Sequence, residues 1–285
     1  MNRTFVLVCA LAFPFCLTAQ DFEIGLLFGA SAYEGDLTEA NTAFQRQDKS
    51  AAFGIFSRLD FNRYFSGRVN FTYGKLTAND AQSESEGRRN RNLSFESRIV
   101  ELSVVGELNI LGFTDFSQRL RPYLYGGIAI FNFNPETNYD GQLVELQPLG
   151  TEGQGMNNFQ EKYQLTQFSI PMGVGVSYQL SHNINIGLDI GLRKTFTDYL
   201  DDVSGAYVNY NELADGNGVL AAALGNRTGE LLQTEPVNLP TGAQRGNPNS
   251  DDWYYVGGLT ISYQFQGGNN GLSRGGKNQL GCPKF

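Results

Sequence analysis

Residues 168–180 alternate without a break. Phe168, Ile170, Met172, Val174, Val176, Tyr178 and Leu180 are large and apolar, and the residues between them are Ser, Pro, Gly, Gly, Ser and Gln. A side-chain period of two marks a β-strand with one greasy face and one polar or small face. The run is longer than the roughly five or six residues usual in a soluble sheet. A water-soluble strand hides its apolar face in a core, whereas the strand of a membrane barrel turns it to lipid.

The same pattern recurs along the chain and predicts eight strands, at 22–33, 51–62, 67–77, 94–111, 121–134, 164–180, 183–197 and 253–265. In the fifth, Tyr123, Tyr125, Ile128, Ile130 and Phe131 leave the facing ambiguous. The connections between strands alternate strictly in length. Short ones lie around Tyr64, Phe65 and Ser66, between Gly112 and Leu120, and at Ser181-His182. Long ones cover 34–50, 78–93, 135–163 and 198–252. Short turns at one end and long loops at the other are the habit of outer-membrane barrels, and an even strand number leaves both termini on the turn side. The fold class is therefore all-β: an eight-stranded antiparallel transmembrane β-barrel with long outer loops. It belongs in the cell outer membrane, with both termini periplasmic.

The non-greasy faces carry Arg58, Asp60, Arg68, Glu101, Glu107, Asp189 and Arg193. In an eight-stranded barrel that side is a lumen just wide enough for side chains to fill. Both signs of charge are present, so an interior ion-pair network is expected to plug the pore. Tyr73, Tyr123, Trp253 and Phe265 fall at strand ends, where interfacial aromatic girdles sit.

Composition agrees with an exported barrel. Charged residues are only 18% of the 285, against 34 Gly, 14 Tyr and 21 Phe. Residues 1–20 read as a signal peptide: Arg3, then an apolar stretch from Phe5 to Leu17, then Thr18-Ala19-Gln20 at the cleavage site. Its loss makes the chain, already at −8, one unit more negative, which argues against nucleic acid as a partner. Cys9 and Cys16 leave with the leader, so Cys282 remains as a free thiol or half of an intermolecular disulfide. The chain divides into the leader 1–20, the barrel 21–266 and a flexible Gly/Asn-rich periplasmic tail 267–285. The tail ends Cys282-Pro283-Lys284-Phe285, which reads either as an incidental thiol on a loose end or as a hook for a partner.

Signals for catalysis, cofactor or metal are weak. The only histidine, His182, lies in a turn at the predicted periplasmic end, so a non-enzymatic protein is expected. Asp198, Asp201, Asp202 and Asp215 lack the spacing of a calcium loop and read as a solvated acidic loop, with a turn at 215–218. Residues 150–155 are glycine-rich but carry no lysine, so they are not a phosphate loop. Arg88, Arg89 and Arg91 read as a solvated or lipopolysaccharide-facing loop.

Several segments resemble a known family. Residues 91–98 (RNLSFESR), 145–155 (ELQPLGTEGQG), 193–205 (RKTFTDYLDDVSG) and 244–247 (QRGN), with the CPKF end, are similar to PorG, the small outer-membrane barrel of the type IX secretion system. The resemblance covers nearly the whole mature chain. It implies an outer-membrane component that associates with the periplasmic ring of the lipoprotein PorK and the protein PorN, in a machine for protein secretion that in some bacteria serves gliding motility. It implies an anchor or assembly factor rather than the export pore. The expected partner-binding residues are Cys282, Pro283, Lys284 and Phe285, with Tyr64, Phe65 and the 112–120 turn as further candidates. The expected partners are outer-membrane lipid, PorK and PorN, with Cys282 able to form a disulfide to a partner. The alternative is a surface-exposed barrel acting in adhesion or defence through its long outer loops.

Overall fold

The computed structural model describes residues 22–38, 49–112 and 119–265. The leader, the tail with Cys282, Pro283, Lys284 and Phe285, and residues 113–118 of one short turn lie outside them. The strands are β1 (Phe22–Glu34), β2 (Ser50–Asp60), β3 (Phe65–Asn79), β4 (Ser94–Asn109), β5 (Leu120–Tyr139), β6 (Gln142–Glu145), β7 (Thr166–Gln179), β8 (Ile184–Thr195) and β9 (Trp253–Phe265). All neighbours pair antiparallel. Consecutive barrel strands pair in order, β4 meets β5, and β9 returns to β1 with Phe22 opposite Phe265 and Glu34 opposite Trp253. The ladder thus closes into an eight-stranded antiparallel barrel, with β6 a short hairpin partner to the far end of β5. Closure removes the sheet edges that would otherwise leave backbone groups unpaired in hydrocarbon.

Alternation along the strands sorts the side chains. Phe168, Ile170, Met172 and Val174 of β7 point outward, as do Ile128 and Ile130 of β5 and Leu259 and Ile261 of β9. Phe168, Ile128 and Leu259 are 66%, 71% and 67% exposed. Water-soluble monomers rarely carry so continuous an apolar surface; on a closed antiparallel barrel it is the lipid-facing wall. Among the described residues no helix is long and apolar enough to cross a membrane.

Strand ends differ from the sequence reading at β5. It runs through Tyr139, five residues past the expected 134, and rises above the wall with β6. Its facing is also settled: Leu124, Ile128 and Ile130 turn outward, whereas Tyr123, Tyr125 and Phe131 are buried inside. Tyr123 is therefore a lumen residue, not part of a girdle; Tyr73 and Phe265 do face out. The inner tyrosines demand small partners opposite them. A Cβ at Gly175 would enter the Tyr123 ring, and one at Gly191 would collide with the Tyr125 hydroxyl. Large and small residues thus alternate round the lumen, as a narrow barrel requires.

The β2–β3 turn is compact. Asn62 Oδ1 accepts from the amides of Tyr64 and Phe65, and Phe61 N donates to Phe65 O, which closes the β2–β3 turn by an Asx arrangement. The opposite end is a folded cap rather than a set of separate loops. It contains α1 (Glu86–Arg91), α2 (Tyr210–Asn217), α3 (Val219–Gly225) and α4 (Thr228–Leu232), none of which the strand pattern announced. Residues 215–218 end helix α2 at Gly218, φ +98°, instead of forming a free turn. Beneath the cap, Tyr33, Leu76, Phe95, Ile99, Phe131, Phe133, Leu200, Val203 and Tyr254 form an apolar plug across the barrel mouth. A second cluster of Val208, Leu213, Ala221 and Ala222 holds α2 and α3 together.

Candidate functional site

Polar chemistry concentrates in two places, the barrel lumen and the cap. The lumen is filled in layers. Nearest the turns, Arg121 forks onto Asp60 at 2.6 and 3.1 Å and donates from Nε to Asn109 Oδ1 at 2.7 Å. Next comes a chain of buried charges. Arg58 donates to Glu23 at 2.9 Å and to both oxygens of Glu107 at 2.7 and 3.2 Å. Glu107 also pairs with Arg68 at 2.9 Å, and Arg68 reaches Asp189 at 2.9 Å. Asp189 accepts in addition from the hydroxyls of Tyr123 and Tyr125 at 2.8 and 2.9 Å. Ser262 bonds Glu23 from the far side. Higher up, Arg193 pairs with Glu101 at 3.1 Å, and Tyr254 donates to the same carboxylate at 2.5 Å. The Arg58 and Arg68 guanidiniums lie over the Tyr123 ring, and Arg68 over Tyr125 at 4.7 Å.

Arg58, Asp60, Arg68, Glu101, Glu107, Asp189 and Arg193 thus all lie inside the barrel, each in an ion pair with another lumen side chain. Glu23, Arg121, Tyr123, Tyr125 and Tyr254 belong to the same filling and were missed from sequence. Glu23 alternates with Phe22, Ile24, Leu26 and Phe28, so the same pattern carried the signal for it; Arg121 and the tyrosines lie where large residues on both faces read as well for lipid as for lumen. Tyr64 and Phe65 are exposed at the turn end, where Arg63 covers the Tyr64 ring.

The cap gathers residues far apart in sequence. Arg91 forks onto Asp80 at 2.7 and 2.8 Å and donates onward to the carbonyls of Arg245 and Asp36. Arg245, 4% exposed, pairs with Glu152 at 2.9 Å and donates to the carbonyls of Asp202 and Gly225. Glu152 further accepts from the amides of Ser204 and Gly205. Asp202 accepts from Thr151 Oγ1 at 2.5 Å and Tyr163 Oη at 2.7 Å. The Tyr33 hydroxyl sits between Asp201 at 2.7 Å and Asp252 at 2.9 Å. One hydroxyl owns one proton, so the second contact requires a protonated carboxyl. Burial pushes both Asp201 and Asp252 well up from the usual carboxylate range, consistent with a retained proton.

These contacts correct two sequence expectations. Asp198, Asp201 and Asp202 are buried in the cap, not solvated; only Asp215, on α2, is exposed. Arg91 is tied into the cap rather than turned to solvent or lipopolysaccharide. No three carboxylate, His or Cys side chains stand close enough to hold a metal among the described residues.

Both oxygens of Asp198 are buried without a well-aligned donor, although Ser204 lies alongside. Burial, with Asp36, Glu152 and Asp251 nearby, pushes the carboxyl up to about 7, and burial pushes Asp202 up to about 6 against the pull of Arg245. A carboxyl whose folded pKa lies above its unfolded value near 4 holds its proton more tightly in the folded state. That stabilisation is full below about pH 4 and is lost as pH rises to about 7. The cap is therefore expected to open more readily at pH 8 than at pH 5. Hydrogen exchange at residues 198–208, corrected for the intrinsic rate, measures this. Asp198→Asn should remove part of the pH dependence, and an unchanged profile in that variant would assign it to other groups.

Comparison with solved structures returns small outer-membrane barrels. The attachment invasion locus protein Ail of Yersinia pestis is 10% identical, with 86% of this chain and 98% of that one covered and a TM-score of 0.40. Neisserial surface protein A is 9% identical, with 86% and 97% covered and a TM-score of 0.41. A major outer membrane protein of Thermus thermophilus is 13% identical, with 87% and 100% covered and a TM-score of 0.39. The barrel rests on its own closed ladder, and these likenesses carry nothing over about binding. No curated protein matches the sequence significantly. A family model described as a domain of unknown function matches residues 2–221, and the chain belongs to that family, DUF6089.

Proposed function

We propose that this barrel is a non-enzymatic outer-membrane component of the type IX protein secretion machinery, similar to PorG, which holds the periplasmic ring of PorK and PorN at the membrane. The cap then faces outward, and the turns, with both termini, face the periplasm. The observation that carries the reading is where the resembling segments meet. Arg91, Glu152, Asp202 and Arg245 come one from each of the four internal segments similar to PorG, and they join in a single buried unit. Four separate likenesses thus belong to one piece of structure. The filled lumen supports an anchoring role, because a bore occupied by ion pairs and tyrosines gives no passage to cargo. Tyr64, Phe65 and the tail from Cys282 to Phe285 are the proposed contacts with the ring.

Affinity purification of the tagged protein from gently solubilised outer membrane tests the reading. PorK and PorN should co-purify, and a disulfide-linked partner should migrate separately from the Cys282→Ser variant on a non-reducing gel. If an intact barrel brings down neither ring protein, the anchoring role is wrong. The adhesion or defence reading, for which the folded outward cap speaks, would then take its place.

A further inference from the structure

The cap carries a cavity that the anchoring role does not use. It measures about 600 Å³, within the usual range for small-ligand sites, and lies between the segments 152–160, 199–208 and 241–248. Tyr199, Tyr207 and Phe159 supply aromatic walls; Gln154, Asn158 and Gln160 supply amides; Ser204 and Thr241 supply hydroxyls. The Tyr199 ring is held in place from behind. Tyr163 stacks on it at 4.6 Å and 8°, and Phe133 stacks on Tyr163 at 6.2 Å and 6°. Its hydroxyl points to Glu152 at 3.4 Å. At the floor, Gln154 is 2% exposed and accepts from Glu152 N, while its Nε2 closes no well-aligned hydrogen bond.

Chemistry narrows the occupant. No lysine or arginine lines the cavity among the described residues, and its one carboxylate, Glu152, is already neutralised by Arg245. An anionic ligand such as a phosphorylated headgroup therefore finds no cation there. A peptide seeking strand pairing finds the 205–207 backbone taken: Tyr207 N donates to Ala243 O, Gly242 N to Tyr207 O, and Arg245 N to Gly205 O. An acyl chain would find apolar wall in Phe159, Val208 and Pro248 but would also strip water from Gln154, Asn158 and Gln160 without replacing their hydrogen bonds, at a desolvation cost. A sugar ring fits what is present. Its C–H face packs on an aromatic ring, its hydroxyls both donate to and accept from the planar amides of Asn158 and Gln160, and one can accept from Gln154 Nε2.

We propose that this cavity binds a neutral saccharide at the cell surface, with Tyr199 as the stacking platform and Asn158 and Gln160 as rim hydrogen-bonding groups. The cell-surface placement rests on the outward orientation of the cap proposed above; saccharide binding by the cavity uses none of the residues proposed to contact the ring and is tested apart from it.

Saturation-transfer difference NMR on the full chain in nanodiscs tests it. The probes are the delipidated polysaccharide from the outer membrane of the same bacterium, and cellobiose and lactose as free disaccharides. Transfer to ring C–H protons is expected, with at least a roughly tenfold weaker affinity in the Asn158→Gly/Gln160→Ala variant. Both positions are exposed, and glycine accepts the φ of +70° that Asn158 adopts, so the cap should keep its fold. Binding of the polysaccharide alone would make the cell envelope the source; binding of a disaccharide would make it a diffusible sugar. No transfer from the wild-type chain to any of the three probes, or equal transfer in wild type and variant, would overturn the proposal.

Discussion

Glu107→Ala should destabilise the barrel by about 3–5 kcal/mol, because it strips a shared counter-ion from two buried guanidiniums at once. Glu107 is 1% exposed and lies between Arg58 and Arg68. Without it, among the described residues, Arg58 keeps only Glu23 as an ion-pair partner and Arg68 only Asp189. Neither arginine can shed its charge, since guanidinium stays protonated at any accessible pH. A fall in melting temperature on the order of 10 °C follows. The folded barrel's distinct gel mobility without heating gives the measurement. Glu107→Gln preserves volume and some hydrogen bonding, so it should lie between wild type and alanine. A loss below about 1 kcal/mol would mean that water reaches the lumen and solvates the arginines. Conductance of the wild-type protein in planar bilayers should be absent, because the same network fills the bore.

Arg245→Ala should have the second large effect, confined to the cap. It would leave Glu152 and Asp202 buried beside each other without their cation and would free the Gly225 carbonyl. The cost is again about 3–5 kcal/mol, but the barrel ladder below is untouched. The expected result is rapid proteolytic cutting within 198–252 with a barrel that still resists heating. The defect should deepen as pH rises, since a protonated Asp202 needs the arginine less. Arg245→Lys keeps the charge but not the fork, so it should rescue the Glu152 pair while leaving Asp202 O or Gly225 O without a donor. Cleavage of wild type and Arg245→Ala at the same rate would show that the apolar plug alone holds the cap.

The barrel was legible because lipid on one side and a packed lumen on the other impose a period of two on every strand. Residues 168–180 show it unbroken, and the charges at Arg58, Glu101, Asp189 and Arg193 mark the inner phase. At β5 the signal failed. Tyr123 and Tyr125 are as large as lipid-facing residues, and only the glycines opposite them on β7 and β8 reveal that they point inward. Those partners come from other strands, so no window along β5 contains the information. The cap was less legible still. Arg245 lies 93 residues from Glu152 and 43 from Asp202, so their pairing leaves no local pattern. Its helices are one or two turns long, too short for a 3.6-residue period to stand out. The acidic run 198–202 reads as solvated in sequence because its burial depends on Tyr33, Thr151, Tyr163 and Arg245, all distant.

The meeting of β1 with β9 sets the order in which such a chain can mature. Those two strands are the first and last of the barrel, so the ladder between them, 13 residues on each side, cannot form until the whole barrel has been made. Polar contacts rivet the seam at two heights, Glu23 with Ser262 and Glu34 with Tyr255. Above it Tyr33 ties β1 to Asp252, the residue just before β9. Long-range closure of this kind carries its entropy cost before any contact rewards it. A chain stopped before residue 253 would therefore be an open sheet with two raw edges, a substrate for quality-control proteases rather than a smaller barrel.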